Sequence, residues 1–538
     1  MRIFKKQRRA ESVRDILWVC SILAAGTSWC AETPADTTPD PLLDLFIQKG
    51  YVTQQEAAKV KAEADRLRTN EMAGVAAPES FWKSKVGVKN MDIFGDVRLR
   101  YEARSAHDPS GGSINLNRLR YSVRFGVRGE AFDNFYYGIR FDTSANPRSA
   151  WATFGQTGQT SPFGKSNAGI YVSQAYIGWH PEDWAEITLG KMANPLYATP
   201  MVWDSDLNPE GAAERFKTTV GEADFFATFG QFLYQDTNPT KTTAGYFNPV
   251  SVNSSDLPFL LALQGGVNYH LTPRLNFKFA PTLYLYTRFN VGKNPAASGD
   301  GYNPDFAGTY VGQGSQNGVS GTPANYNLAS PGFDGFYANQ DGVNKLMVFD
   351  VPFEVDLKLE KYKLRFFGDY AQNLQGAARA QAAFEAANSY YFSTSGPGAG
   401  TIDTKSFSSP QTKDIHAYQI GFGIGSTNID YGPMQGAVYG NSTRRHAWEL
   451  RGYWQHIEQY ALDPNLIDSD VFEGRENMQG LFVSLAYCFT DNVYGAARYG
   501  YASRINHKLG TGGSNGDLPQ MNPMDNFSLF QVDFGVRF

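Results

Sequence analysis

The closing stretch NFSLFQVDFGVRF, Asn526 to Phe538, decides how this chain folds. Counted back in twos from the last residue, Phe538, Val536, Phe534, Val532 and Phe530 form one face. Arg537, Gly535, Asp533, Gln531 and Leu529 form the other. A period of two is that of a strand, whose successive side chains point to opposite sides. The apolar face is largely aromatic and runs to the final residue, which fits a wall exposed to lipid in a barrel that this strand closes. The alternative on this stretch alone is the closing strand of a soluble β-domain.

Aromatic residues make up 14% of the chain, yet charged residues make up 19% and mean hydropathy is −0.39. A bundle of membrane helices is excluded, because the one long apolar run, Ile16 to Ala25, falls short of the roughly 18 residues that cross a bilayer. That run follows Arg2, Lys5, Lys6, Arg8, Arg9 and Arg14 and precedes small residues near Ser28, Cys30 and Ala31. Residues 1–30 therefore read as a secretory signal peptide, cut after Cys30 or Ala31. Acylation of Cys30 fits poorly with Trp29 before it. The signal holds six basic and two acidic side chains, leaving 42 basic against 51 acidic. Such an acidic mature chain is not a nucleic-acid partner. Cys488 alone is left well inside it, so no disulfide framework is available.

Residues 31–40 are rich in Pro, Thr and Asp and read as a linker. Pro41 opens a short helix that Gly50 stops, and Thr53 with Glu56 forms a capping box for a second helix, giving a periplasmic linker and helical hairpin over 31–90. From residue 91 the period changes to two. Ile93, Val97, Leu99 and Tyr101 alternate with Asp96, Arg98, Arg100, Glu102 and Arg104, and Leu119, Tyr121, Val123 and Phe125 alternate with Arg118, Arg120 and Arg124. Charged residues on one face and large apolar ones on the other predict a polar lumen and an oily exterior. The pattern recurs to give an all-β fold, a transmembrane antiparallel β-barrel over 91–538 with sixteen strands. Connections alternate between turns such as 131–134, 181–184 and 272–274 and long loops such as 144–168, 290–344 and 373–413. Residues 426–444 should be a short turn and are long, which leaves eighteen strands open. Pro281 inside a strand is a second irregularity, since it lacks a ladder donor.

The terminal Phe resembles the signal by which bacterial outer-membrane barrels are recognised for insertion. The chain as a whole is similar to the bacterial putative-porin family. The similarity is carried by LLDLFIQKGYVTQQEAAKVKAE (42–63), RLRYSVRFGV (118–127), TLGKMANPLYATPMVWDSDLNPEGAAERF (188–216), the DSD of NLIDSDVF and the terminal strand. The resemblance implies a water-filled outer-membrane channel for passive diffusion of small hydrophilic solutes and ions, and by analogy a homotrimer. Substrate-selective channels and structural or adhesive barrels are the alternatives. An active transporter would need a plug larger than the residues ahead of the barrel. Inward glycines such as Gly421, Gly423 and Gly425 favour an open lumen.

Asp204, Asp206 and Asn208 begin like a calcium loop, but Pro209 and Arg215 stand where a turn glycine and a closing Glu belong. Asp463, Asp468, Asp470 and Glu473 could hold a divalent cation and read more simply as a solvated acidic loop. Seven scattered His and no G-x-S-x-G give no enzyme signature; a triad assembled across strands around His456 is the remaining catalytic alternative. His180 and His270 read as interfacial. No cofactor or metal is expected. Selectivity is expected from residues 193–214, the third external loop, carrying Asp204, Asp206 and Glu210. Inward Arg98, Arg100, Arg118, Arg120, Arg124 and Arg140 would face it across the lumen. Opposed charges there set a transverse field that favours small polar solutes, with the arginine excess favouring anions. Alternatively the arginines pair with Asp96, Glu102 and Asp142 and stiffen the wall.

Overall fold

The computed structural model describes residues 89–109, 111–144, 149–155, 169–234, 239–241, 247–249, 257–289, 345–381, 409–427, 444–511, 518 and 524–538. The expected signal peptide and helical hairpin lie outside these. Every alternating stretch becomes a strand of one antiparallel sheet. In chain order these are β1 (Asp92–His107), β2 (Ser113–Glu130), β3 (Phe135–Ser144), β4 (Gly169–Glu182), β5 (Ala185–Lys191), β6 (Glu210–Val220), β7 (Ala223–Leu233) and β8 (Leu257–Thr272). There follow β9 (Leu275–Phe279 and Thr282–Phe289), β10 (Met347–Asp350 and Phe353–Lys358), β11 (Tyr362–Asn373), β12 (His416–Ser426), β13 (Trp448–Ile457), β14 (Met478–Cys488), β15 (Val493–Arg504) and β16 (Asn526–Arg537).

Each strand pairs with the next, and β16 pairs back onto β1, with Leu99 opposite Phe534 and Ala103 opposite Phe530. The sheet therefore has no edge, and sixteen is the strand count. The long connection at 427–447 adds no wall strand among the described residues, because β12 and β13 pair directly with each other. Phe530, Val532 and Phe534 are exposed on the outer face while Gln531 and Asp533 are buried inside, as the period of two dictates.

Two prolines interrupt the wall side by side. Pro281 splits β9 and Pro352 splits β10, yet each keeps its carbonyl in the ladder, Pro281 accepting from Gly265 N at 3.1 Å and Pro352 from Ala280 N at 3.1 Å. Each proline costs only the one donor it lacks.

A glycine pair sends one loop inward. Gly190 and Gly211 lie opposite each other at the upper ends of β5 and β6, with φ of 116° and 152°. A Cβ on Gly190 would stand 2.3 Å from the Ala175 carbonyl, and one on Gly211 2.1 Å from that of Gln231, so only glycine fits. Between them, residues 192–209 turn into the barrel, where Thr199 and Met201 are fully buried and Trp203 nearly so.

Candidate functional site

Two loops meet inside the lumen. The first, 192–209, is stitched to the wall of β8 and β11. Gln264 on β8 accepts Tyr197 N–H at 2.8 Å and donates to Tyr197 O at 2.8 Å, while Thr199 donates to Asp369 on β11. The second, 458–477, joins β13 to β14. It reaches the first through Asp204 N to Leu466 O (2.5 Å), Asp468 N to Pro200 O (3.1 Å), and Ser469 N and Oγ to Asp204 Oδ2 (3.1 and 3.0 Å). Leu196, Val202 and Trp203 of one pack with Leu462, Leu466 and Ile467 of the other in one apolar cluster. An external loop that buries side chains this large behaves as a core element.

The solvated reading of the acidic segment is corrected here. Asp463, Asp468 and Glu473 are buried, because the segment lies against the arginine wall. Arg100 holds Asp533 of β16 with a two-pronged contact, Nε to Oδ1 at 2.7 Å and Nη2 to Oδ2 at 2.9 Å, and reaches Asp470 Oδ2 at 2.9 Å. Arg104 pairs with Glu473, and Arg498 reaches Asp533 at 3.2 Å. Glu102, fully buried, receives Arg118 at 2.5 Å, Arg104 at 3.1 Å and Gln531 at 2.7 Å. Arg124 pairs with Asp206, and Arg140 with Asp142 at 2.9 Å. Trp151 is the residue that sequence reasoning missed. It is 1% exposed and lies beneath the guanidinium groups of Arg98 (4.8 Å) and Arg100 (3.9 Å). A cavity of about 60 Å³ lies between Arg98, Arg124, Asp206 and Arg451.

Charge within the loop pair is uneven. Burial, with Asp206 beside it, pushes the Asp204 carboxyl up to about 7. Asp468 is also raised, by burial and by Asp204. Burial opposes ionisation of Asp206 and Asp470 as well, but Arg124 and Arg98 hold the first below the usual carboxylate range, and Arg100, Arg498 and Arg104 hold the second well below it.

The opposite side of the lumen is roomy. Beneath residues 194–197 lies a cavity of about 550 Å³. Its lining includes Arg215, Lys217, Lys278, Lys363 and Arg365, against the acidic Glu354 and Asp356 only. Arg365 is taken by Asp356 at 2.9 Å, and Arg215 reaches Glu186 at 3.3 Å. Lys278 instead sits over the Tyr197 ring, 3.8 Å from its centre, and Lys217 is exposed to the cavity. None of these five was singled out in the sequence as lining a site, because Lys217 and Arg215 lie on a poorly patterned strand and the others on two further strands, β9 and β11.

Of the residues expected to set selectivity, the structure brings Arg98, Arg100, Arg124, Asp204 and Asp206 around one small space. Arg118 and Arg120 stand around Glu102, and Arg140 beside Asp142. Glu210 lies apart at the upper end of β6, exposed and paired with Lys191 at 2.6 Å. Gly421 does not open the lumen, since the rings of Phe367 and Tyr453 fill the space above it. His456 stacks on Tyr418 at 4.7 Å and meets Gln479 at 2.9 Å; His270 meets Asp224 at 2.8 Å. Among the described residues no group of three or more His, Cys, Asp or Glu could hold a metal ion.

The family model described as "Putative porin" matches residues 112–538. No curated protein matches the chain. Solved structures similar to it include an anion-selective porin from Comamonas acidovorans, with 10% identity, TM-score 0.36, and cover of 84% of this chain and 99% of that one. A mutant of the Rh. blastica porin has 7% identity and TM-score 0.33, covering 84% and 100%.

Proposed function

The chain belongs to the putative porin family, and from that premise we propose that its outer-membrane channel favours anions, by way of the chamber beneath the first inward loop. The barrel is a porin channel of the outer membrane. The observation that carries the finer reading is the chamber's lining, five cationic side chains against two acidic ones around about 550 Å³. Low-dielectric walls focus such a field, so an anion entering the chamber is favoured and a cation is not, even though the whole chain carries a formal charge of −5.

The arginine wall has a different part in this reading. Arg124 and Arg100 hold Asp206 and Asp470 of the two inward loops, Arg98 is held by Asp96, and Arg118, Arg120 and Arg140 brace Glu102 and Asp142 of the wall, so that together they set the width of the path, while Lys217 and Lys278 set its sign. Catalysis has no part in the reading. It further takes residues 1–30 as a signal peptide, 31–90 as a periplasmic linker with a helical hairpin, and the assembly as a homotrimer, as the resemblance implies. The test is the reversal potential of the purified protein in planar bilayers under a potassium chloride gradient. A potential of the sign set by chloride is expected; one set by potassium overturns the anion reading, and absence of any conductance overturns the open channel.

A further inference from the structure

A stripe of polar side chains runs around the inner face of β9 to β13, sealed between two apolar layers. Thr282 stands opposite Asp350, Asp369 opposite Gln419, and Gln419 opposite Gln455. Asp350 is opposite Ala371, two residues on from Asp369, so the two carboxylates are diagonal neighbours on one face. Residues directly opposite on a face have Cβ atoms about 5 Å apart, and diagonal neighbours are still within reach. The chain neighbours Phe349, Tyr370, Tyr418 and Trp454 are exposed on the outer face, while none of the five stripe residues is more than 3% exposed. The row above, Val348, Ala371, Ala417 and Ile457, belongs to the apolar cluster that includes Met201 of the first inward loop. The row below carries Phe367 and Tyr453, whose rings meet edge to face.

The polar groups of the stripe do not satisfy one another. Among the described residues neither oxygen of Asp350 has a hydrogen-bond donor, nor has Oδ1 of Asp369. The side-chain amides of Gln419 and Gln455 and the hydroxyl of Tyr284, one row above, are also without partners. Val351 N–H, next in the chain to Asp350, is taken by Tyr370 O at 2.8 Å. Thr199 of the first inward loop donates to Asp369 Oδ2. The charged group that faces Asp350 is Asp369, and no cationic side chain among the described residues pairs with either. Two carboxylates taken out of water without a counter-charge are strongly unfavourable.

We infer that this stripe holds one divalent cation of the calcium class, a role apart from the ion preference of the chamber. The two carboxylates supply the charge that it cancels. They are completed by the Gln419 amide oxygen and the Thr199 and Tyr284 hydroxyls, so the site needs no third acidic or imidazole side chain. Oxygen donors alone select a hard cation over zinc or copper. Calcium accepts roughly six to eight oxygens in an irregular shell, whereas magnesium holds on to waters that a sealed stripe excludes. Bound there, the ion fastens Thr199, and with it the first inward loop, to β10 and β11.

The test refolds the full chain into detergent either with calcium chloride or with the chelator EGTA, removes unbound metal and measures calcium by elemental mass spectrometry. One calcium per chain is expected from the first preparation and none from the second, with the calcium form unfolding at the higher temperature. Asp350→Asn with Asp369→Asn keeps the shape of both side chains and should give a heat-modifiable barrel that carries no calcium and unfolds at one temperature in both preparations. Gln419→Leu keeps both carboxylates and should weaken calcium at least about tenfold in competition with a chelator, no less than the loss of an outer-shell partner does. A wild type refolded in calcium without bound ion overturns the inference and leaves the two carboxyls to share a proton. An equivalent that survives in the double variant overturns it by placing the ion elsewhere, and equal uptake of magnesium overturns the calcium assignment. Unchanged affinity in Gln419→Leu also overturns it, whether or not the double variant folds.

Discussion

The two sides of the lumen handle charge in opposite ways. On the side of β1–β3 and β14–β16, Arg98, Arg100, Arg104, Arg118, Arg124, Arg140 and Arg498 each meet a carboxylate from their own strand, a neighbour or an inward loop, around a cavity of about 60 Å³. On the side of β6–β11, cations outnumber acids around about 550 Å³, and Lys278 rests on aromatic rings instead of a carboxylate. Matched charge holds structure in place; unmatched charge is left over for solutes. The difference teaches that the number of arginines facing a pore says little about its selectivity until their partners are known.

The comparison breaks most sharply if the lysines are reversed. Lys217→Glu with Lys278→Glu should turn the chamber from net basic to net acidic and change the sign of the reversal potential under a salt gradient. An unchanged potential would mean that ions do not pass through the chamber. Arg100→Ala tests the matched side. It leaves Asp533 buried without its fork and should lower stability by about 3–5 kcal/mol, read from urea unfolding of the detergent-folded barrel. A loss below about 1 kcal/mol would show that the wall is solvated. Arg120→Glu with Arg124→Glu should move ion preference toward cations by less than the lysine pair does, since these arginines are already matched. A larger shift would reverse the ranking of the two sides.

The smallest effect is one of pH. Asp204 titrates near 7 in the folded protein, above its unfolded value, so the native loop pair binds a proton that the undocked one gives up. The contribution of Asp204 to docking is therefore fully present at about pH 4, is lost as pH rises to about 7 and is flat above that, while Asp206 and Asp470, held below the usual range, favour docking wherever they are ionised. Facing Asp204 are Asp206, Asp468 and Asp470, with Arg124 and Arg98 behind them. Single-channel noise should rise between pH 5 and pH 8 in the wild type and stay level in Asp204→Asn. Equal pH dependence in both would remove Asp204 from the latch.

The wall was legible and its filling was not. A period of two is a local property, so Val532 and Asp533 announce opposite faces from sequence alone, and the sixteen strands follow one by one. Whether a loop turns inward depends on partners hundreds of residues away, as Arg104 and Glu473 are. Two local signals did exist. The run PLYATPMVW places Met201, Val202 and Trp203 in a loop that should be polar if it faced water, and Gly190 with Gly211 flanks it. The excess of inward arginines over acids on the first two strands likewise demanded carboxylates from elsewhere, and the segment Asp468 to Glu473 was the obvious supply.

The pairing of β1 with β16 also bears on how the barrel is assembled. Arg100 and Asp533 are separated by 433 positions, so the first strand carries its cation from the beginning of folding and receives the matching anion only when the last strand arrives. Arg498 waits for the same carboxylate. Sealing the cylinder and neutralising its interior are thus one event. Asp533→Asn should slow the appearance of the heat-resistant form in an insertion time course without altering the strand pattern, and an unchanged rate would separate the two. A chain that stops short of its final strand brings unmatched arginines to the bilayer, and the bilayer itself then acts as the inspector of completeness.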